Sequence, residues 1–286
     1  MLTDALIEPT VRAALAEDAP WGDVTSEALI PAHATAEADL VAREPGVFSG
    51  GAVFRTAMLA VDPGIDVALR LRDGERFEAG DVLASAGGPA RGILQAERVA
   101  LNFVQRMSGI ATVTALYVAQ AAGTRARIVD TRKTTPGLRA FERHAVQCGG
   151  GHNHRHSLSD AVMAKDNHLA VLMTEDGVDL TEALRRVRGR ISHTTHLEVE
   201  VDRMDQIEPV LAAGVDTIML DNFTPDDLKR GVELVAGRAL VEASGNVNLD
   251  TVGRIARTGV DIISVGALTH SVRSLDLGLD VRVALG

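Results

Sequence analysis

A chain of 286 residues, 46% apolar and 24% charged, can bury a large core in one or two soluble globular domains. Its formal net charge of -10 and its 3% aromatic content argue against a general nucleic-acid surface, which needs a basic face or stacking rings. The single cysteine, Cys148, excludes an intrachain disulfide and fits a reducing compartment such as the cytoplasm. No apolar stretch reaches the roughly 18 residues of a membrane span, and Asp4 and Glu8 stand where a signal peptide would carry basic residues, so neither segment is expected.

In the first half, residues 9–18 predict a helix with Leu6, Val11 and Leu15 on one side. Strands are predicted over 35–42, 65–71 and 82–86, the later ones separated by the turns Asp73-Gly74 and Ala79-Gly80-Asp81. Two amphipathic helices follow, 91–107 and 110–122, with Gly109 between them. This half reads as an α+β domain, with a boundary near 109–123.

The second half alternates. Short strands are predicted at 127–129, 161–164, 196–201, 216–220, 239–243 and 261–265. Helices are predicted between them at 136–147, 181–187, 204–213, from Pro225 onward, and at 249–257. The fourth of these has a clear start: Thr224 as cap, Pro225 at the first position, and Asp226 and Asp227 in the first turn. Strand–helix alternation with short connections predicts parallel strands and right-handed crossovers, hence an α/β barrel.

Polar groups stand at the C-terminal ends of these strands: Asp130 with Arg132, then Lys165, Glu200, Asp221, Ser244 and Gly266. In an α/β barrel that rim carries the active site. Asp130-Thr131-Arg132-Lys133, His154-Arg155 and Lys165 concentrate donors in a chain that is acidic overall, which points to a small anion as ligand. Ser244-Gly245-Asn246 and Gly266-Ala267-Leu268-Thr269-His270-Ser271 follow the last two strands, where small residues let backbone N–H groups approach a phosphate. Glu200 and Asp221, on neighbouring strand ends, could hold Mg²⁺ through water or accept from ribose hydroxyls; the plainer reading is a structural acid paired with a base. His152, His154 and His156 alternate as in the His-x-His of barrel metallohydrolases, but they follow three glycines and enclose Arg155. One histidine on substrate and the others in packing or at the surface fits better. By spacing alone, Arg98 is an exposed helix arginine paired with an acid.

Together these segments resemble the quinolinate phosphoribosyltransferase family. The matching set is ordered along most of the chain: Glu17-Asp18 with Gly22-Asp23-Val24-Thr25, Glu97-Arg98 with Leu101-Asn102, Ser108-Gly109-Ile110-Ala111-Thr112, and Asp130-Thr131-Arg132-Lys133-Thr134. It continues with Gly149-Gly150-Gly151, Asn153-His154-Arg155, Lys165-Asp166-Asn167-His168, Glu198-Val199-Glu200-Val201, Leu220-Asp221-Asn222, Glu242-Ala243-Ser244-Gly245-Asn246 and Val265-Gly266-Ala267-Leu268-Thr269-His270. The resemblance implies an N-terminal α/β sandwich over residues 1–112, joined by the tail 272–286, and an incomplete α/β barrel over 113–271. It implies quinolinate, phosphoribosyl pyrophosphate and Mg²⁺ as ligands, and a homodimer whose site is closed by the partner's N-terminal domain. By motif, Arg132, His154, Arg155 and an Arg98 acting from the partner resemble the quinolinate carboxylate binders, and Lys133 and Lys165 the lysines between the two substrates. Glu200 and Asp221 look like the acids around ribose and metal. Ser244, Gly245, Gly266 and His270 resemble the phosphate end. His156 departs from the pattern, where an apolar or less basic residue is expected.

Three other readings compete. A relative acting on nicotinate has one carboxylate to bind, for which three arginines are excessive. A metallohydrolase would hold metal on His152 and His154. A non-catalytic binding protein would take up quinolinate and release no CO₂.

Overall fold

The computed structural model describes residues 2–173 and 178–285, which fall into two compact units. The first comprises residues 1–115, 134–150 and 268–286; the second comprises 116–133 and 151–267. Of the barrel expected over 113–271, residues 113–115, 134–150 and 268–271 group with the first unit.

The first unit is built on an antiparallel sheet in the order Leu277–Ala284, Thr35–Ala42, Val82–Pro89, Asp66–Leu69. Thr35–Ala42, the strand bounds expected from sequence, buries Ala36, Ala38, Leu40 and Ala42, one face of a period-two pattern. The C-terminal strand pairs with it from Thr35↔Ala284 to Ala42↔Leu277. Phe48, Phe54 and Met58 fill its core; the last two belong to the helix Gly51–Val61, which the pattern reading missed. The short helix Val24–Leu29 was also missed, although Asp23 accepts from Thr25 N–H and Ser26 N–H as a capping residue does.

The two helices expected on either side of Gly109 are one helix, Ala90–Gln120. Gly109 does not break it. A Cβ there would stand 2.3 Å from the carbonyl oxygen of Arg273, so the glycine admits close approach of the C-terminal tail.

Among the described residues, the second unit carries six parallel strands: β1 (Arg127–Val129), β2 (Val162–Ala164), β3 (Leu197–Val201), β4 (Thr217–Asp221), β5 (Leu240–Ser244) and β6 (Ile262–Ser264). Their spatial order is β1-β6-β5-β4-β3-β2. The ends of that order, β1 and β2, are not hydrogen-bonded to each other, which leaves the barrel incomplete. Ile218, Leu220, Val199 and Ile263 are fully buried, as expected of strands covered by helices. Helix Pro225–Val235 begins as its sequence predicts, with the Thr224 side chain accepting from Asp227 N–H. The 204–213 helix is split into a 3₁₀ turn, Met204–Gln206, and an α-helix, Ile207–Ala212. Among the described residues no helix is long and apolar enough to cross a membrane.

Candidate active site

Alternate residues of a strand share a face, and parallel pairing sets Met163 beside Glu198, Glu200 beside Met219, Met219 beside Glu242, and Asp221 beside Ser244. The inward side chains thus stand in two tiers. Lys165, Glu200, Asp221 and Ser244 are at the rim; Met163, Glu198, Met219 and Glu242 lie one step deeper. All of them except Glu198 line a cavity of about 580 Å³, with Thr131, Arg132, Lys133, His154 and Arg155 as its basic wall.

The loop after β1 is set by Asp130, which is fully buried and accepts from His154 N–H at 2.8 Å. His152 joins the outer edge of β1 through its N–H to the Ile128 carbonyl at 2.8 Å, while Asp130 N–H returns to the His152 carbonyl at 3.1 Å. Arg155 donates from Nη1 to the Ala161 carbonyl at 3.0 Å. Burial, and then the Arg132 charge, push the Arg155 guanidinium below its usual range. Nε of Arg132 is buried without a hydrogen-bond partner. Two mutually repelling guanidiniums, one with an unused donor, make a cavity wall that an anion stabilises.

Beneath the wall lie two carboxylates. Glu198 is 3% exposed and Glu242 1% exposed. An Oε2 of each is 3.3 Å from Nε2 of His154. Burial works to strip the imidazole of its proton, but the hydrogen bonds and charges of Glu198 and Glu242 outweigh it and push its pKa up to about 10. Burial, reinforced by the Glu242 charge, raises the Glu198 carboxyl against the opposing pull of His154. Arg155 N lies 2.7 Å from Nδ1 of His154, on the side of the ring away from the glutamates. The proton on Nε2 faces the two glutamates. The three groups hold it as a unit. The Oε1 atoms of both glutamates are buried without a partner.

At the other end, Lys165 forms an ion pair with Glu200, and Asp221 accepts from Asn222 Nδ2 at 2.6 Å. Asn222 and Asn246 have φ of 59° and 51°, and Gly245 has φ of 88°. A Cβ on Gly245 would lie 2.2 Å from Asn222 Oδ1 and 2.9 Å from Asn222 N. Only glycine fits the turn after β5, where the chain passes against that of β4. Asn246 Nδ2 donates to Asn222 Oδ1 at 3.0 Å and ties the two turns together.

Of the residues expected at the site, Arg132, Lys133, His154, Arg155, Lys165, Glu200, Asp221, Ser244 and Gly245 share this cavity. Gly266 follows β6 but is not among the lining residues. His270 belongs to the first unit, its Nδ1 2.6 Å from Ser271 Oγ. Arg98 lies on the long helix, also in the first unit. The alternating histidines do not gather: His156 N–H goes to Asp160 Oδ2 at 2.6 Å, and the group around His154 is made of glutamates. Glu198, Glu242, Asn222 and Asn246 were not singled out by role. The signal for the glutamates was present, because each stands two positions before an expected rim residue and so faces the same side.

Residues 23–108 match the quinolinate phosphoribosyl transferase N-terminal domain, and residues 110–280 match the C-terminal domain of the same family. The chain is 44% identical over 281 residues to the nicotinate-nucleotide pyrophosphorylase (carboxylating) of Mycobacterium leprae, covering 95% of this chain and 96% of that one. It is 40% identical over 268 residues to the probable enzyme of that name from Bacillus subtilis, covering 94% and 91%. Among solved structures, NadC from Streptococcus pyogenes superimposes with a TM-score of 0.94 at 39% identity, covering 99% of each chain.

Proposed function

This chain belongs to the quinolinate phosphoribosyltransferase family, and from that premise we propose how its residues divide the work. The activity is that of a pentosyltransferase: quinolinate and phosphoribosyl pyrophosphate give nicotinate mononucleotide, pyrophosphate and CO₂ in de novo NAD biosynthesis. The observation that carries the assignment of roles is the basic wall, where Arg132 and Arg155 face one cavity and Arg132 keeps a buried, unused donor.

Quinolinate is a pyridine with two adjacent carboxylates. Arg132 and Arg155 receive them, joined by Arg98 of a second subunit in a homodimer with a shared site. Arg98 is outside the lining of this chain's own cavity, which supports that reading. His154, with both ring nitrogens turned to protein groups, serves the dianion by fixing the Arg155 main chain. Lys133 and Lys165 stand between the two substrates. The last two strand-end turns, with Ser244 and Gly245 in the cavity wall, take the sugar's 5′-phosphate.

The pyridine nitrogen is itself the nucleophile, so no general base is required. Departure of pyrophosphate leaves an oxocarbenium-like sugar, whose positive charge the Glu200 and Asp221 carboxylates support. These two acids also suit Mg²⁺, which binds through one or two carboxylates plus substrate phosphates and keeps much of its water. Bound there, Mg²⁺ would offset the charge of the pyrophosphate leaving group. Once ribosylated, the ring nitrogen is positive. Loss of the neighbouring carboxylate as CO₂ leaves a carbanion beside that cation, which Lys133 supports electrostatically until a proton from its ammonium or from water completes nicotinate mononucleotide. We place the enzyme in the cytoplasm, in keeping with its single cysteine.

The test is incubation of the full chain with quinolinate, phosphoribosyl pyrophosphate and Mg²⁺. CO₂ and pyrophosphate should appear in equal amounts, and neither without the sugar donor. Equal turnover of nicotinate would overturn the assignment.

A further inference from the structure

Three metal-ligating side chains meet in the first unit, and none of them lines the substrate cavity. His144 and Cys148 are four residues apart on the helix Arg139–Cys148, the spacing that sets two side chains one above the other on one face. Asp73 comes from the turn that follows the strand Asp66–Leu69, and its Oδ2 lies 2.6 Å from His144 Nε2. One donor atom from each residue lies within 4.8 Å of the other two.

The surroundings orient these donors as outer partners orient metal ligands. Gly50 N–H and Gly51 N–H donate to the Asp73 carboxylate at 3.1 and 3.0 Å. Ser49 Oγ lies 3.3 Å from Cys148 Sγ and donates to it. Asp73 also borders an open depression with Ala52, Leu69 and Glu75, which gives an ion and its water a way in.

We propose that Asp73, His144 and Cys148 form a three-ligand site for a thiophilic divalent cation, zinc by the chemistry of its donors, with water in the fourth position. Sulfur, imidazole and carboxylate at the corners of a tetrahedron are a zinc set, whereas Mg²⁺ takes oxygen alone. Tetrahedral donors about zinc stand roughly 3.3–3.8 Å apart, given bonds of about 2.0–2.3 Å. The Asp73–His144 pair therefore opens by about 1 Å as the ion replaces the proton between them. The proton between Asp73 and His144 and the Cys148 thiol proton both pass to the buffer as the metal bonds form. The ion would then tie the end of the helix to the Asp73 turn.

Cobalt alone is the probe. Full-length protein is freed of metal with a chelator, dialysed and titrated with Co²⁺. One Co²⁺ per chain should bring a near-ultraviolet sulfur-to-cobalt charge-transfer band and the strong visible bands of a tetrahedral site. Equimolar Zn²⁺ should bleach them, and excess Mg²⁺ should not. Because the chain has one cysteine, the sulfur band can arise only from Cys148. Cys148→Ser should abolish it with quinolinate turnover retained, and His144→Ala should weaken Co²⁺ binding at least about ten-fold. Should Cys148→Ser misfold, protection of the wild-type thiol from alkylation by Zn²⁺ gives the same reading. No sulfur band at saturating cobalt, one ion bridging two chains, or alkylation unaffected by Zn²⁺ would each overturn the site.

Discussion

Glu242 and His154 meet 3.3 Å apart beneath a cationic cavity wall, and Glu198, from the second strand over, approaches the same imidazole nitrogen. Acid below base explains how Arg132, Arg155 and Lys133 can be crowded into one wall before any anion arrives. The buried carboxylates offset part of their charge. They also hold the histidine proton well above its ordinary range.

The first prediction concerns that proton. A raised histidine pKa means an interaction fully present below the ordinary value near 6.5 and lost only as pH rises through about 10. Glu242→Gln removes one of the two carboxylates that raise it. The imidazole pKa should fall toward the ordinary range, and the loss of quinolinate affinity at high pH should begin lower. Nitrogen NMR of ¹⁵N-histidine-labelled protein, read beside the pH profile of KM for quinolinate, checks both. An unmoved His154 titration would show that Glu242 does not hold the proton.

Arg132→Lys should keep the fold and lose on the order of 2 kcal/mol or more in kcat/KM for quinolinate, the range for a truncated charge-assisted contact. An ammonium cannot supply the planar fork, and Nε of Arg132 is the donor now waiting without a partner. Unchanged kcat/KM would refute the contact.

Gly245→Ala should act at the sugar-phosphate end. Its φ of 88° and the 2.2 Å approach to Asn222 Oδ1 force the turn to shift. Strain of this kind costs about 1–3 kcal/mol. KM for phosphoribosyl pyrophosphate should rise about ten-fold or more, with thermal unfolding lowered only slightly, because the turn can move without emptying the core. A large fall in Tm with unchanged KM would place the damage elsewhere.

Arg98 tests the assembly. Arg98→Ala and Arg132→Ala chains should each be inactive alone. Mixed and exchanged, about half of the dimers are hybrid, and each hybrid has one intact site if Arg98 acts across the interface. Activity should recover to roughly a quarter of wild type. No recovery, with exchange confirmed by differently tagged chains, would mean that Arg98 does not act in trans.

Much of this was legible in the sequence, for a physical reason. Parallel strands covered on both sides are short apolar runs ending in polar residues, so β1 to β6 and the rim residues Lys165, Glu200, Asp221 and Ser244 announced themselves. Less legible was whatever depends on a partner far away in the chain. Gly109 looks like a helix stop until the carbonyl of Arg273 is found against it. Helix Gly51–Val61 begins at glycines, and the carboxylate that receives their N–H groups is Asp73, more than twenty residues on. Glu198 and Glu242 read as ordinary strand residues, because their meaning comes from a histidine on another segment. Asn222 and Asn246 take left-handed backbone that their sequence permits but does not demand.

The open seam of the barrel has a mechanical consequence. The main chain bearing His154 and Arg155 is basted to the free edge of β1 by the His152–Ile128 and Asp130–His152 hydrogen bonds and by the Asp130 carboxylate, not woven into the ladder. Such an edge opens at a lower free energy than the strands inside the sheet. Arg132 follows β1, and Arg155, carried on the segment fastened to β1, reaches across to the Ala161 carbonyl just before β2. On the proposed roles, a dianion held by both guanidiniums would act as a suture across that edge.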